Sequence, residues 1–268
     1  MPTAQEHDHY WSEYLKKDPC FLSTTEGVSK DEQFTEYQRQ FCQGLKGAHV
    51  LEIGCGDGRD AIAMVREYDV ASLVAIDVSE KRVGLAKENI EQAGLGDRIQ
   101  VRKMDAHRVD FPDDQFDAIV GNSVCLFLDR ERFFPEAVRV LKKGGRLVLF
   151  LESLAENPIL SITRRLDPRQ QKRDVERLAN RLTLREIEDA GQRFFAAVEH
   201  KEFYPLFVVL RRVIIMIARR YIRLPVGERT TSGTWSRALD RMLLRIFPSL
   251  RRYAWISVIR FTTTATLR

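Results

Sequence analysis

The stretch His49-Val50-Leu51-Glu52-Ile53-Gly54-Cys55-Gly56-Asp57-Gly58-Arg59-Asp60-Ala61 decides the fold. It reads as a short buried strand, a glycine-rich turn and the first turn of a helix. A second strand follows at Ser72-Leu73-Val74-Ala75-Ile76-Asp77 and ends in a carboxylate. Glycines let a ligand come close to the backbone, because no side chain stands in the way. An acid at the end of the next strand is placed to accept hydrogen bonds from a ribose diol. The first half of the chain therefore reads as a holder for a nucleoside-bearing cofactor.

The form of the turn narrows the choice. A dinucleotide-binding turn runs G-x-G-x-x-G/A, and here Arg59 occupies the last small position. A phosphate loop needs Gly-Lys-Ser/Thr after its glycines, and none follows. What stands here is G-x-G-x-G preceded by Glu52, and it resembles motif I of the class I S-adenosylmethionine-dependent methyltransferases. Further matches follow in order. Ile99-Gln100-Val101-Arg102-Lys103-Met104-Asp105-Ala106 is a third strand ending in Asp-Ala. Phe111-Pro112-Asp113-Asp114-Gln115-Phe116-Asp117 resembles that family's F-P-D-x-x-F-D entry into strand four, with Gly121-Asn122-Ser123 after it. Val140 to Leu149, with Gly144-Gly145 inside, resembles the glycine turn and fifth strand that close the core.

The resemblance implies S-adenosylmethionine as cofactor and S-adenosylhomocysteine as product. It implies that Asp77 takes the ribose hydroxyls and Val78 lies against adenine, while Asp105 and Ala106 take the adenine edge. Glu52 orients the amino-acid end or the turn itself. The loop from Gly54 through Cys55 and Gly56 to Gly58 passes beneath that end. Asn122 meets the reacting side.

The expected fold is α/β: a doubly wound, seven-stranded, Rossmann-like sheet with an antiparallel last strand. Strands and helices alternate to about residue 152, which implies a parallel sheet covered on both faces. Residues 1–45 read as an N-terminal helical cap, with Phe34, Tyr37 and Phe41 at helical spacing and Ser29 and Glu32 as a capping box. Residues 46–204 form the cofactor-binding core, which takes in a basic irregular stretch near Arg164–Arg169. Thr183 to Gly191 reads as a capped helix stopped by glycine, and Phe194 to Tyr204 as strand six. Residues 253–268 hold the final strand, beginning at Tyr253. The segment between, 205–252, is too long for a structureless loop and reads as a helical insertion or lid.

Charge is divided unevenly. From Pro205 to Arg268 there are thirteen arginines, no lysine and two acids, a net of +11. The preceding residues sum to −6, and the whole chain to +5. Leu206 to Arg223 is apolar but broken by arginines, so it is no membrane span. In the second basic stretch Arg237, Arg241 and Arg245 fall on one helical face, with Leu239, Leu243 and Ile246 on the other. Three readings stand open: a lid packed on the core with solvated arginines, a basic face on an anionic membrane surface, or a lid over a lipid-like or anionic substrate. Nucleic acid is a weaker partner, because the insertion lacks the aromatic ladder of single-strand binders. Cys20, Cys42, Cys55 and Cys125 have no metal-like spacing, so no metal is expected. Their scatter fits a reducing compartment. The expected place is the cytoplasm or the inner face of a membrane, with no signal peptide.

Chemistry follows from the cofactor. An activated methyl leaves the protein mainly the tasks of positioning and, for a hydroxyl acceptor, of general base. His107, Asn122 and Tyr10 are the candidates, and no base is singled out. His107 serves equally well as a shield at the adenine edge, and Tyr10 with Trp11 as an anchor of the cap. Asn122-Ser123-Val124-Cys125 departs from the N/D-P-P-Y/F pattern of methylases acting on amino groups of DNA or on protein glutamine. The expected acceptor is a small molecule or lipid-like metabolite, at oxygen. A nucleic-acid or protein methyltransferase and a non-catalytic cofactor-binding scaffold are the alternatives.

Overall fold

The computed structural model describes residues 40–152, 183–203, 206, 207, 209, 210, 214, 234–254 and 256–264. Strand β1 (His49–Ile53) leads through helix α1 (Arg59–Glu67) to β2 (Ser72–Asp77). Helix α2 (Glu80–Gln92) and β3 (Ile99–Lys103) complete that half of the sheet. The other half holds β4 (Phe116–Asn122), α3 (Arg130–Val140), β5 (Leu141–Glu152), α4 (Leu184–Gly191) and β6 (Ala197–Phe203). Helix α5 (Thr234–Ile246) and β7 (Ile256–Thr262) follow. The strand order is β3-β2-β1-β4-β5-β7-β6. All pairs are parallel except β5–β7 and β6–β7. The expected seven-stranded sheet, with its antiparallel last strand inserted between the fifth and sixth, is what forms.

Alternation along the strands builds two apolar layers. Val50, Ala75, Val120 and Val148 face one side, packed with Met64 and Ala61 of α1. Leu51, Ile53, Ile119 and Leu149 face the other, with Phe133 and Phe134 of α3. Phe41 and Leu45, from the end of the expected N-terminal cap, are buried in the first layer. The rest of that cap, including Tyr10, Trp11, Ser29, Phe34 and Tyr37, lies outside the described residues, as do the basic stretch near Arg164–Arg169 and most of Leu206–Arg223.

Two local expectations need correction. The last strand starts at Ile256, because Pro248–Tyr253 winds into a 3-10 turn. Pro248 at the start of that turn favours the helical φ. Strand six begins at Ala197, and Phe194 and Phe195 instead turn into an aromatic cluster with Phe134. Helix α4 ends at Gly191, as expected. The glycine also serves closeness: a Cβ there would clash with the ring of Phe261 on β7. The N-terminal expectation for the same helix is met, for Thr183 and Glu186 form a reciprocal capping box.

That contact gives a test. Gly191→Ala is a helix-favouring change by propensity alone, worth about 1 kcal/mol in an open helix. Here overpacking against Phe261 reverses the sign, with an expected net loss on the order of 1–3 kcal/mol in urea unfolding. A more stable Ala variant would contradict the packing described.

Candidate functional site

The strand order reverses between β1 and β4, and the crevice at such a switch point is where doubly wound sheets take ligands. The turn after β1 and the residues after β4 face each other there. Gly54, Gly56 and Gly58 have φ of +67°, +60° and +81°. These values, costly for any side-chain-bearing residue, explain all three glycines. Their missing Cβ atoms do not face one space. At Gly54 a Cβ would meet Val124 Cγ2 at 2.8 Å, and at Gly58 it would meet Ala86 Cβ of α2 at 3.2 Å. Gly58 thus brings helix and turn together, the task that a dinucleotide turn gives to its last small residue.

Asp77 ties the turn to the sheet. It is 6 % exposed. Its Oδ2 accepts from the N–H of Gly56 at 3.0 Å, and its Oδ1 from the N–H of Ser79 at 2.9 Å. The N–H of Cys55 also donates to the Ile76 carbonyl at 3.0 Å. Each carboxylate oxygen has two lone pairs, so the carboxylate is not saturated by these bonds. Burial pushes the Asp77 carboxyl up, opposed by the backbone N–H groups of Ser79, Gly56 and Val78 and by Arg82.

Glu52 lies on β1, two residues before Gly54. It is 3 % exposed, and its Oε2 has no hydrogen-bond partner among the described residues. Burial raises its pKa well above the ordinary glutamate value, and Asp60, Asp57 and Asp77 add to the rise. Arg59 opposes it. A buried carboxyl with an orphaned oxygen, surrounded by three more acids, is an environment that a cation relieves. Burial likewise pushes the Cys55 thiol up, which keeps it protonated and unreactive.

Asn122 ends β4 and donates through Nδ2 to Asp60 Oδ2 at 2.6 Å. Its Oδ1 accepts from the Ser123 hydroxyl at 3.1 Å. Ser123 has φ +55°, a strained value for serine, set beside the Gly121 and Gly54 that touch Val124. Asn122 therefore bridges the two halves of the crevice. Asp60, its partner, was not singled out from sequence; its place in the first turn after G-x-G-x-G was the available signal.

Asp105 and His107 form a separate knot past β3. Asp105 Oδ1 accepts from the His107 backbone N–H at 3.0 Å and from its Nδ1 at 2.6 Å. His107 Nε2 accepts from the N–H of Asp129 at 2.8 Å. Those partners require a neutral ring with its proton on Nδ1. The hydrogen bond from His107 holds the Asp105 carboxyl below its ordinary value. Both ring nitrogens are engaged, so His107 fixes the Asp105 loop against the start of α3. The N–H of Met104 donates to the Asp77 carbonyl at 3.0 Å, bringing this loop beside Asp77. Ala106 and Val78 are half-buried along that same edge. The F-P-D-x-x-F-D segment is held from behind: Arg139 donates to the Phe111 carbonyl at 2.7 Å and the Val109 carbonyl at 3.0 Å, and pairs with Asp113 and Glu136. Sequence reading missed Arg139, which no motif marks.

The site thus offers acceptors for hydroxyls at Asp77, an uncompensated buried acid at Glu52, and a half-buried edge at Asp105–His107. These residues fit a nucleoside that carries positive charge. Residues 50–145 match a family model described as a methyltransferase domain. This segment is a class I S-adenosylmethionine-dependent methyltransferase domain. The family uses S-adenosylmethionine as its methyl donor.

Methyltransferase GfsG of Streptomyces halstedii is 30% identical over 150 residues, 56% of this chain and 51% of that protein. Phosphatidylethanolamine N-methyltransferase of Cereibacter sphaeroides is 34% identical over 105 residues, 39% of this chain and 50% of its own. The 27-O-demethylrifamycin SV methyltransferase of Amycolatopsis mediterranei is 38% identical over 104 residues, covering 38% of each chain. The chain spans about half or less of the length of these relatives. The [4+2]-cyclase SpnF shares the fold with a TM-score of 0.60 at 18% identity, over 99% of this chain and 97% of that one. Phosphoethanolamine N-methyltransferase 2 of Haemonchus contortus, in complex with S-adenosyl-L-methionine, gives 0.58 at 16% identity, over 84% and 51%.

The Glu52 carboxyl supplies a pH test. Its folded pKa lies above its unfolded one, so between those values the native state binds the extra proton. Its contribution to stability is fully present below the ordinary glutamate value and is lost as pH rises through the raised folded value. Glu52→Gln removes that loss. The variant is expected to be more stable than the parent in urea unfolding near neutral pH, with the difference shrinking as the solution is acidified. A Gln variant less stable at neutral pH would mean that the carboxylate is compensated after all.

Proposed function

We propose that the chain transfers a methyl group from S-adenosylmethionine to an oxygen of a small apolar or lipid-like acceptor, working at an anionic membrane surface. The observation that carries the cofactor reading is the pairing of Asp77, buried with acceptor capacity to spare, with the orphaned oxygen of Glu52 on the strand that leads into the same glycine turn. Asp77 would hold the ribose hydroxyls. Glu52, with the turn from Gly54 through Cys55 and Gly56 to Gly58, would hold the amino-acid end by its negative field. Asp105, Ala106 and Val78 would enclose adenine, and His107 would keep that edge in place.

When bound, the cofactor supplies an activated methyl group on a sulfonium. The task of the chain is then to position the acceptor and exclude water. Asn122, locked between Asp60 and Ser123, fixes the mouth of the crevice where the acceptor would enter. His107 is a positioning residue in this reading, since its Nε2 lone pair is already used. Tyr10 stays a candidate base for an acceptor hydroxyl. An oxygen acceptor is favoured by the 38%-identical 27-O-demethylrifamycin SV methyltransferase. A lipid-like one is favoured by the phosphatidylethanolamine relative.

Two measurements test this reading. Asp77→Ala removes a charged acceptor worth on the order of 1.5–3 kcal/mol per hydrogen bond, so S-adenosylhomocysteine affinity should fall by about a hundredfold. The variant also frees the N–H groups of Gly56 and Ser79, so it should remain folded but lose about 1–3 kcal/mol of stability. Unchanged affinity would refute the assignment. With methyl-labelled cofactor and a lysate of the source cells, the label should pass into the solvent-extractable fraction as a methoxy group. Label confined to RNA or protein would overturn the acceptor class.

A further inference from the structure

Among the described residues, the large apolar side chains left exposed are Leu210, Ile214, Trp235, Met242, Ile246 and Phe247. All six lie between β6 and β7, in the part of the chain where arginines outnumber acids thirteen to two. Helix α5 carries three of them and Phe247 follows at its end, and its orientation is the reverse of the usual one. Ser236 and Asp240 are buried, and so is Arg237, at 6 % exposure. Asp240 Oδ1 accepts from the backbone N–H groups of Leu206 and Phe207 at 3.1 and 2.9 Å, which anchors the inner face of the helix. Leu239 and Leu243 are only half-buried, at the sides. The lid reading, with the apolar face on the core and the arginines solvated, does not hold at Arg237, which is buried, or at Ile246, which is exposed.

The outer face carries Trp235, Met242 and Ile246, and the chain continues to Phe247; each is more than half exposed. Seven and eleven residues are nearly two and three helical turns, so the first three fall within about 20° of one line along the helix. Arg241 and Arg245 are exposed on one flank of the helix, about 120° and 80° round from that line. A water-facing helix buries its apolar stripe and shows its polar one. Grouped exposed apolar side chains flanked by charge mark a contact surface. The mixture here fits the boundary of a bilayer: aliphatic side chains reach the acyl region, the indole sits at headgroup depth, and arginines meet lipid phosphates. The net charge of +11 over residues 205–268 selects an anionic leaflet.

We infer that this face of α5, formed by Trp235, Arg241, Met242, Arg245, Ile246 and Phe247, is the surface on which the chain lies against an anionic bilayer. The inference rests on the membrane part of the proposed function and is independent of the methyl transfer itself. Among the described residues no helix is long and apolar enough to cross a membrane, so the contact is one of lying on the surface.

Co-sedimentation of the full chain with vesicles of phosphatidylcholine, with and without phosphatidylglycerol, tests it. Binding is expected only with phosphatidylglycerol present, and it should weaken with salt. The variant W235S/M242S/I246S/F247S should lose vesicle partitioning by at least about tenfold while its S-adenosylhomocysteine affinity is unchanged. The milder variant Trp235→Phe should fold as the parent does and lose the blue shift of tryptophan emission that vesicles induce. Equal binding by parent and fourfold variant, or a blue shift that persists in Trp235→Phe, would overturn this face while leaving the membrane reading standing. If the parent ignores vesicles yet binds S-adenosylhomocysteine, the membrane reading and this face fail together and the methyltransferase reading survives. Salt-sensitive binding to RNA without binding to vesicles would overturn it in favour of a nucleic-acid partner.

Discussion

The hydrogen bond from the Gly56 N–H to the Asp77 carboxylate is the interaction on which the site depends. It joins the glycine turn after β1 to the end of β2, with Ser79 bonded to the other oxygen of the same carboxylate. The turn can take this path only because Gly54, Gly56 and Gly58 adopt positive φ. One acid therefore shapes the turn, holds α2 in register through Ser79, and still presents acceptor positions to the crevice. Glu52, buried with an unpartnered oxygen, is held toward its uncharged form by burial and by Asp60, Asp57 and Asp77, against Arg59, and a cationic ligand would favour its ionised form. A structure that tolerates such a group stores part of its binding energy for a cationic ligand.

The core of the fold was legible because its signals are local. G-x-G-x-G, two acidic strand ends and alternating apolar runs fix the strand–turn–helix order, and the right-handed crossover rule does the rest. Thr183 and Glu186 announced a helix start that forms as expected. What was not legible depended on distant partners. Gly191 reads as a helix stop in sequence and α4 does end there, but its closeness to Phe261, seventy residues on, was not readable. His107 looks like a free base until Asp129 is seen on its second nitrogen. Arg139 and Asp60 carry no motif at all, and their roles exist only once α3 and β4 are in place.

Helix α5 shows the same limit from the other side. A period-3.6 pattern tells that a helix has two faces, not which of them looks inward. Of the readings open from sequence, the lid packed on the core has Ile246 buried and Arg237 exposed, and the fold has the opposite. The arrangement is set instead by Asp240, whose carboxylate takes the N–H groups at Leu206 and Phe207 and draws the polar side of the helix inward. Charge balance over residues 205–268 was readable from composition, whereas the apolar face that accompanies it needed the fold.

The central claim is that the crevice between β1 and β4 holds a cationic adenosine cofactor. Calorimetric titration of the full chain with S-adenosylhomocysteine tests it most directly. The account predicts saturable binding at one site per chain, with affinity in the micromolar range, roughly −8 kcal/mol. Absence of binding heat, together with no thermal stabilisation by the ligand, would contradict it.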